Sequence, residues 1–153
     1  MKQREGDLIQ LALAGEFDVI VHGCNCFHTM GAGIAKHIAQ VFPEALAADR
    51  QTSRGDRAKL GQISQATVFR PHALTIVNAY TQFDYGRRGR KADYAAIDAC
   101  FVRIAALWPD SRIGYPLIGA GLAGGDWAEI APIIDRRLAG CDHTLVTLPK
   151  AAN

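Results

Sequence analysis

Two nearly identical glycine-rich segments constrain the fold of this chain more than any other feature. Residues 31–35 are Gly-Ala-Gly-Ile-Ala and residues 119–123 are Gly-Ala-Gly-Leu-Ala. Each follows an apolar, β-branched run typical of a buried strand, and each leads towards a helical pattern. Such alternation of strands and helices predicts right-handed crossovers and a largely parallel sheet in an α/β fold. In these sheets ligands bind at the carboxyl ends of the strands, where both segments are expected to lie.

The remaining pattern extends this alternation along the whole chain. Strands are predicted at residues 2–5, 18–24, 62–69, 73–79, 112–118 and 143–148, and helices at residues 8–14, 43–51, 92–107 and 126–138. Ile34, Ile38 and Val41 also recur at helical spacing. The helix at 92–107 is expected to bury one face, formed by Tyr94, Ile97, Phe101, Ile104 and Leu107. A length of 153 residues favours one domain spanning residues 1–153.

Composition excludes several classes of protein. The net charge is only +2, which gives no reason to expect general nucleic-acid binding. No run of 18 apolar residues predicts a membrane span, and residues 1–5 are too polar for the start of a signal peptide. The four cysteines show no disulfide-framework spacing, which favours a reducing compartment. We therefore expect a cytoplasmic monomer.

The two glycine segments are interpreted as a phosphate site. Glycines let the backbone approach an anion closely, and N–H groups at a helix N-terminus carry partial positive charge. Two glycine turns needed only for tight packing are the alternative. The sequence contains no P-loop motif. Gly119, Gly121 and Gly124 match the dinucleotide fingerprint, but the next strand ends in Leu148-Pro149 without the required acidic residue, which disfavours hydride transfer.

The alternating residues His22, Cys24, Cys26 and His28 suggest a metal site. In an extended strand, residues two apart are separated by roughly 6.6 Å. Zinc bound to sulfur at about 2.3 Å requires ligands closer together than that. Buried cysteines and a hydrogen-bonded histidine are therefore favoured, and no metal or cofactor is expected.

A long aperiodic segment at residues 80–90 is predicted to be a functional loop. Its basic residues, together with the lysine that follows it, are Arg87, Arg88, Arg90 and Lys91. They either form a solvated surface or contact a ligand phosphate or the macromolecule that carries it. The aromatic side chains of Tyr80, Phe83 and Tyr85 either cover a base or ribose or form a minor core that holds the loop.

Four motifs in order resemble those of macro domains, which bind ADP-ribose. They are Gly6-Asp7-Leu8, the segment from Val19 to Asn25, the segment from Met30 to Ala35, and the segment from Pro116 to Leu122. The resemblance covers nearly the whole chain. It implies a three-layer α/β/α sandwich around a mixed, largely parallel sheet.

The resemblance also implies roles for individual residues. Asp7 matches the residue that accepts a hydrogen bond from the adenine amino group, with Leu8 beside it, and Asn25 matches the asparagine that contacts the distal ribose. The first loop, which lies along the distal ribose and diphosphate, corresponds to Gly31, Ala32, Gly33 and Ile34. The second loop, which holds the diphosphate from the other side, corresponds to Gly119, Ala120, Gly121, Leu122, Ala123 and Gly124. Several relatives carry an aromatic residue where this chain has Ala123.

The sequence of residues 30–35 is most similar to that of the branch of ADP-ribosyl glycohydrolases. The Cys24-Asn25-Cys26 segment also resembles ADP-ribose-1''-phosphate phosphatases. In the glycohydrolase branch a lysine attacks the anomeric carbon, and Lys91 matches its K-x-x-Y context. Nearby arginines favour a neutral Lys91 amine by like-charge repulsion. The second-loop aspartate of that branch corresponds to Ala123, and Asp126 lies three residues later.

The resemblance therefore implies a hydrolase that acts on ADP-ribosylated protein or nucleic acid, or on a small ADP-ribose conjugate. One alternative is a phosphatase or deacetylase in which His28 or Asp126 activates water as the general base. The other alternative is a reader module that binds ADP-ribose without catalysis.

Overall fold

The computed structural model describes residues 1–86 and 88–149. The strands are β1 (Lys2–Glu5), β2 (Val19–Cys24), β3 (Ile63–Phe69), β4 (Ala73–Tyr80), β5 (Arg112–Tyr115) and β6 (Asp142–Thr147). The helices are α1 (Leu8–Leu13), α2 (Gly33–Val41), α3 (Pro43–Arg50), α4 (Tyr94–Leu107) and α5 (Trp127–Arg137), with a 3-10 turn at Arg57–Lys59. Among these residues, no helix is both long and apolar enough to cross a bilayer.

The strands form one mixed sheet in the order β1-β6-β5-β2-β4-β3. All neighbouring pairs are parallel except β3 and β4, which are antiparallel. This arrangement confirms the predicted α/β fold with a mixed, largely parallel sheet.

Alternation along the strands produces two cores, one on each face of the sheet. On β2, Val19 and Val21 join the cluster that packs against α4 and α5, whereas Ile20 joins the cluster that packs against α1, α2 and α3. Because successive strand residues point to opposite faces, a run of apolar residues with both faces buried requires helices on both sides. The result is the three-layer arrangement.

The order of the strands creates the position for a site. β2 and β5 are neighbours, but the chain leaves β2 towards β4 and leaves β5 towards β6 on the other side. The loops after these strands therefore diverge at a topological switch point, where a crevice opens at the carboxyl ends. The second glycine segment lies in the loop after β5, and the first begins in the loop after β2 and continues into the first turn of α2. We name these loops the β2–α2 loop (residues 25–32) and the β5–α5 loop (residues 116–126).

Several predicted boundaries were wrong. β5 ends at Tyr115 rather than at residue 118, because Pro116 has no N–H to donate to a neighbouring strand and the chain turns there. α4 begins at Tyr94 rather than at residue 92, because the Asp93 side chain accepts from the N–H of Ala96 and caps the helix. Leu107, predicted to be buried, is 54% exposed at the last position of α4, and Cys100 is buried instead.

Candidate functional site

A groove of about 1140 Å³ lies between the β2–α2 and β5–α5 loops. Its lining includes most of the predicted ligand-binding residues, namely Asp7, Leu8, Asn25, Gly31, Ala32, Gly33, Ile34, Gly119, Gly121, Leu122 and Ala123. Ala120 and Gly124 are outside this lining: Ala120 packs against the core, and Gly124 lies against the carbonyl of Gly89. The fold thus brings residues from three distant segments of the sequence to one crevice.

The N-terminus of α2 opens onto this groove. Its N-cap residue is Ala32, which offers no side-chain cap, whereas α1, α4 and α5 are each capped by an aspartate. The first N–H groups of a helix have no partner within the helix and carry partial positive charge. Gly33, Ile34 and Ala35 form the first turn and line the groove, so their N–H groups are suited to an anion.

The glycines of the two loops fall into two kinds. A Cβ atom at Gly31 or Gly121 would meet nothing within 4 Å, so these two positions leave the groove open for a ligand. A Cβ at Gly119 would lie 3.1 Å from Ile130, and φ is +74° there, so this glycine is required by the core beneath the loop. The β5–α5 loop therefore contains both a glycine required by packing, Gly119, and a glycine that leaves space for a ligand, Gly121.

Asp7 caps α1 through its side chain, because Oδ1 accepts from the backbone N–H of Gln10 at 3.1 Å. Asp7 lies at one end of the groove, next to the carboxyl end of β6. Val146, Thr147 and the 74%-exposed Leu148 line that end. The sequence analysis missed these three residues, although their place at the carboxyl end of a strand parallel to its neighbours was a signal that could have identified them.

Asn25 organises the loop after β2. Its Nδ2 donates to the carbonyl oxygen of Thr29 at 3.2 Å and contacts the Thr29 hydroxyl at 2.6 Å. Its Oδ1 accepts from the backbone N–H of Phe27 at 2.8 Å. Asn25 is buried yet lines the groove, so it both shapes the loop and faces the ligand space.

Lys91 lies beside the groove rather than in its lining. Its Nζ is 3.4 Å from Oδ1 of Asp84, and its side chain is 20% exposed. The main chain of Lys91 is fixed to the β5–α5 loop, because its N–H donates to the carbonyl of Ala123 at 2.7 Å. The structure therefore places the predicted nucleophile next to the second glycine segment.

The two candidate general bases have other partners. His28 has a positive φ of 61°, and its Nε2 lies 3.2 Å from the Thr52 hydroxyl. Asp126 caps α5 by accepting from the N–H of Ala128 at 2.9 Å. Neither residue is in the groove lining, so the groove as described does not bring Lys91, His28 and Asp126 together.

His22 and Cys24 belong to a buried polar network at the base of the groove, which Cys24 helps to line. Nε2 of His22 donates to Oδ1 of Asn78 at 2.7 Å, and burial lowers the pKa of His22 to about 4. Burial also raises the pKa of the Cys24 thiol, which disfavours the nucleophilic thiolate. These residues act as hydrogen-bonded core groups, the interpretation that the spacing favoured.

The loop between β4 and α4, the β4–α4 loop (residues 81–93), is held by its aromatic residues. The ring centroids of Phe27 and Phe83 are 5.0 Å apart, and the Arg57 guanidinium lies 3.9 Å above the Phe83 ring. Tyr85 is 57% exposed and lines the groove, whereas Tyr80 is buried in the core. Tyr80 and Phe83 therefore form a minor core, as one interpretation of the sequence had it, whereas the covering of a base or ribose by Tyr85 stays a prediction. Arg87 lies outside the described residues.

Comparison with known proteins places this geometry in a family. A macro domain model matches residues 21–134. A 17.5 kDa protein of the tk-vs intergenic region of Enterobacteria phage T4 is 39% identical in an alignment of 141 residues, with 88% of this chain and 88% of that protein covered. The structure is similar to the macrodomain of Mycobacterium tuberculosis DarG, with a TM-score of 0.74, 20% identity and 97% coverage of both chains. It is also similar to Thermosipho africanus DarTG in complex with ADP-ribose, with a TM-score of 0.74 and 15% identity over 100% of this chain and 43% of that one.

The two structural likenesses show the fold alone. The family model, however, covers most of the chain, and the phage relative spans most of both sequences. This chain therefore belongs to the macro domain family.

Proposed function

We propose that the groove binds ADP-ribose and that the protein hydrolyses a bond at the distal ribose of ADP-ribose conjugates. The main support for binding is that the uncapped N-terminus of α2 faces the β5–α5 loop across the groove, with open space at Gly31 and Gly121. A diphosphate would accept hydrogen bonds from backbone N–H groups on both sides. The related Thermosipho africanus structure contains ADP-ribose, which supports the same ligand for this chain.

The ends of the groove suit the two ends of that ligand. Asp7 supplies a carboxylate for the adenine amino group, beside the apolar surface of Leu8 and Leu148. At the other end, Asn25 and Tyr85 line the groove where the distal ribose would lie. Lys91 stands beside that end, so its amine is the side chain we propose to attack the anomeric carbon C1''.

Calorimetric titration with ADP-ribose and with AMP tests the binding. About three dozen non-hydrogen atoms at about 0.3 kcal/mol each set a ceiling near −10 kcal/mol for ADP-ribose, which corresponds to sub-micromolar affinity. AMP should bind much more weakly, because it lacks the second phosphate and the distal ribose. No heat and no thermal-shift response to millimolar ADP-ribose would contradict the proposal. Turnover of several ADP-ribose conjugates, followed by chromatography, tests the hydrolysis.

One observation favours a second candidate, a module that binds ADP-ribose without hydrolysis. Lys91, His28 and Asp126 are all outside the groove lining, and each has a partner in the structure. A reader would bind ADP-ribose and leave every conjugate intact at catalytic and at stoichiometric protein concentrations. The reader candidate would be excluded if the wild type hydrolyses any conjugate and Lys91→Ala does not.

A further inference from the structure

The β4–α4 loop brings a carboxylate to the amine of Lys91. Asp84 Oδ1 lies 3.4 Å from Lys91 Nζ, and the Asp84 side chain is 51% exposed. An isolated antiparallel bridge between Gln82 and Ala92 joins the two ends of the loop segment that carries this pair. Nε2 of Gln82 also donates to the backbone carbonyl of Asp84 at 2.9 Å. The position of the carboxylate is therefore set by the fold of the loop.

This pair borders the ligand groove. Gln82, Tyr85 and Gly86 line the groove on either side of Asp84 in the sequence. The Cε atom of Lys91 is 4.0 Å from the position that a Cβ on Gly86 would occupy. The stem of Lys91 therefore lies against Gly86, which is itself part of the groove lining.

We infer that Asp84 is a further catalytic residue, the proton carrier for Lys91. The inference rests on the proposed function. Asp84 is given this role because its carboxylate contacts the nitrogen that we propose to react. An exposed ion pair of this kind contributes little to the stability of the fold. Substitution of Asp84 is therefore expected to leave the fold intact, so that a change in rate reports on the chemistry.

The Lys91 ammonium passes one proton to Asp84, and the nitrogen lone pair forms a bond to C1'' while the bond from C1'' to the leaving atom breaks. Asp84 passes the proton to the leaving atom, which departs neutral. The proton on the new C1''–N bond passes to the ring oxygen O4'' as the C1''–O4'' bond breaks, which gives a protonated imine. Water then adds to C1'' of this imine while Asp84 accepts a proton from the water, and Asp84 returns that proton to the nitrogen as the C1''–N bond breaks. Hydrolysis releases ADP-ribose and returns the lysine amine.

Reductive trapping with free ADP-ribose isolates the role of Asp84. The ring-opened aldehyde of ADP-ribose forms a carbinolamine with Lys91, which loses water to give the imine only after its hydroxyl receives a proton. Borohydride reduces the imine to a stable amine that intact-mass measurement detects. In Asp84→Asn we expect the rate of adduct formation to fall about a hundredfold, the lower end of acid–base contributions. The dissociation constant for ADP-ribose should stay within about fivefold. Asp84→Glu should recover much of the rate.

The pair between Lys2 and Asp142 provides a matched control. It is also an exposed lysine–aspartate pair, with Nζ and Oδ1 2.9 Å apart, and Asp142 begins β6 at the end of the strand away from the groove. Asp142→Asn should trap ADP-ribose at the wild-type rate. An unchanged rate in Asp84→Asn, or a wild type that binds ADP-ribose but forms no adduct at Lys91, would overturn the inference. A wild type that does not bind ADP-ribose would instead refute the proposed function itself.

Discussion

The backbone N–H of Lys91 donates to the carbonyl oxygen of Ala123 at 2.7 Å, and the N–H of Ala92 donates to the same oxygen at 3.1 Å. Beside this contact, a Cβ on Gly124 would lie 3.3 Å from the carbonyl oxygen of Gly89. The β4–α4 and β5–α5 loops therefore meet along their main chains. Because these contacts involve backbone atoms, they survive replacement of the Lys91 side chain.

Lys91→Ala should consequently separate binding from chemistry. We expect its affinity for ADP-ribose to remain close to that of the wild type, while the borohydride-trapped adduct disappears. Lys91→Arg should also form no adduct, because a guanidinium stays protonated and cannot attack. Calorimetry and intact-mass measurement on the same preparations check both points. If Lys91→Ala hydrolyses conjugates at the wild-type rate, Lys91 has no catalytic role, and direct attack by an activated water molecule is favoured.

Gly33→Glu should abolish ADP-ribose binding while the domain stays folded. Gly33 has a positive φ of 57°, and its Cβ would lie 3.5 Å from Cδ1 of Leu122 in the facing loop. A glutamate would occupy the path of the phosphates and oppose them with like charge. The backbone strain is expected to cost about 1–2 kcal/mol, which circular dichroism and thermal unfolding would show as a lower Tm without loss of structure.

Gly140→Glu controls for this strain. Gly140 also has a positive φ, +85°, but a Cβ there would meet nothing within 4 Å, and the residue is exposed after α5. It should lower the Tm to a similar extent and leave ADP-ribose binding unchanged. If Gly33→Glu binds ADP-ribose as Gly140→Glu does, the β2–α2 loop is only a packing turn.

Asp7 caps α1, and its proposed recognition of adenine can be separated from this structural role by two substitutions. Asp7→Ser keeps an N-cap for α1, whereas Asp7→Ala loses it at a cost of about 1 kcal/mol. Both should lose the preference for adenine over hypoxanthine, because the carboxylate accepts from the adenine amino group and repels the hypoxanthine oxygen. We expect the ratio of affinities for ADP-ribose and its inosine analogue to fall by about tenfold in either variant. An unchanged ratio in both variants would remove Asp7 from the site.

The sequence predicted the features that depend on local pattern. The apolar, β-branched run at residues 18–24 indicated a buried strand, and the repeated glycine segments indicated two ligand loops at the carboxyl edge of the sheet. Both predictions about the fold were confirmed, because burial and backbone freedom act on residues that are close in sequence.

Features that depend on where distant segments meet could not be predicted in this way. Leu107 matches the helical period of α4 but is exposed, since periodicity does not show where a helix extends past its neighbours. The proximity of Lys91 to Asp84 depends on the bridge between Gln82 and Ala92, which no local pattern encodes.

His22 should make the stability of the domain depend on pH. Nδ2 of Asn78 donates to the carbonyl of Ala45 at 2.9 Å, which leaves Oδ1 to accept from Nε2 of a neutral His22. Burial lowers the pKa of His22 from 6.5 to about 4. Well above pH 6.5 the imidazole is neutral in both the folded and unfolded states, and it contributes little pH dependence there. Below it, the unfolded chain binds a proton that the folded protein does not bind.

The free energy of unfolding should therefore fall as the pH is lowered from 6.5 towards 4, by up to about 3 kcal/mol from this residue. Urea denaturation at pH 7, 6 and 5 measures the slope, with His22→Gln as the comparison. Glutamine retains a donor for Asn78 but does not titrate, so its slope over this range should be flatter even if the variant is less stable at pH 7. Equal slopes in the two proteins would show that the acid sensitivity comes from other groups.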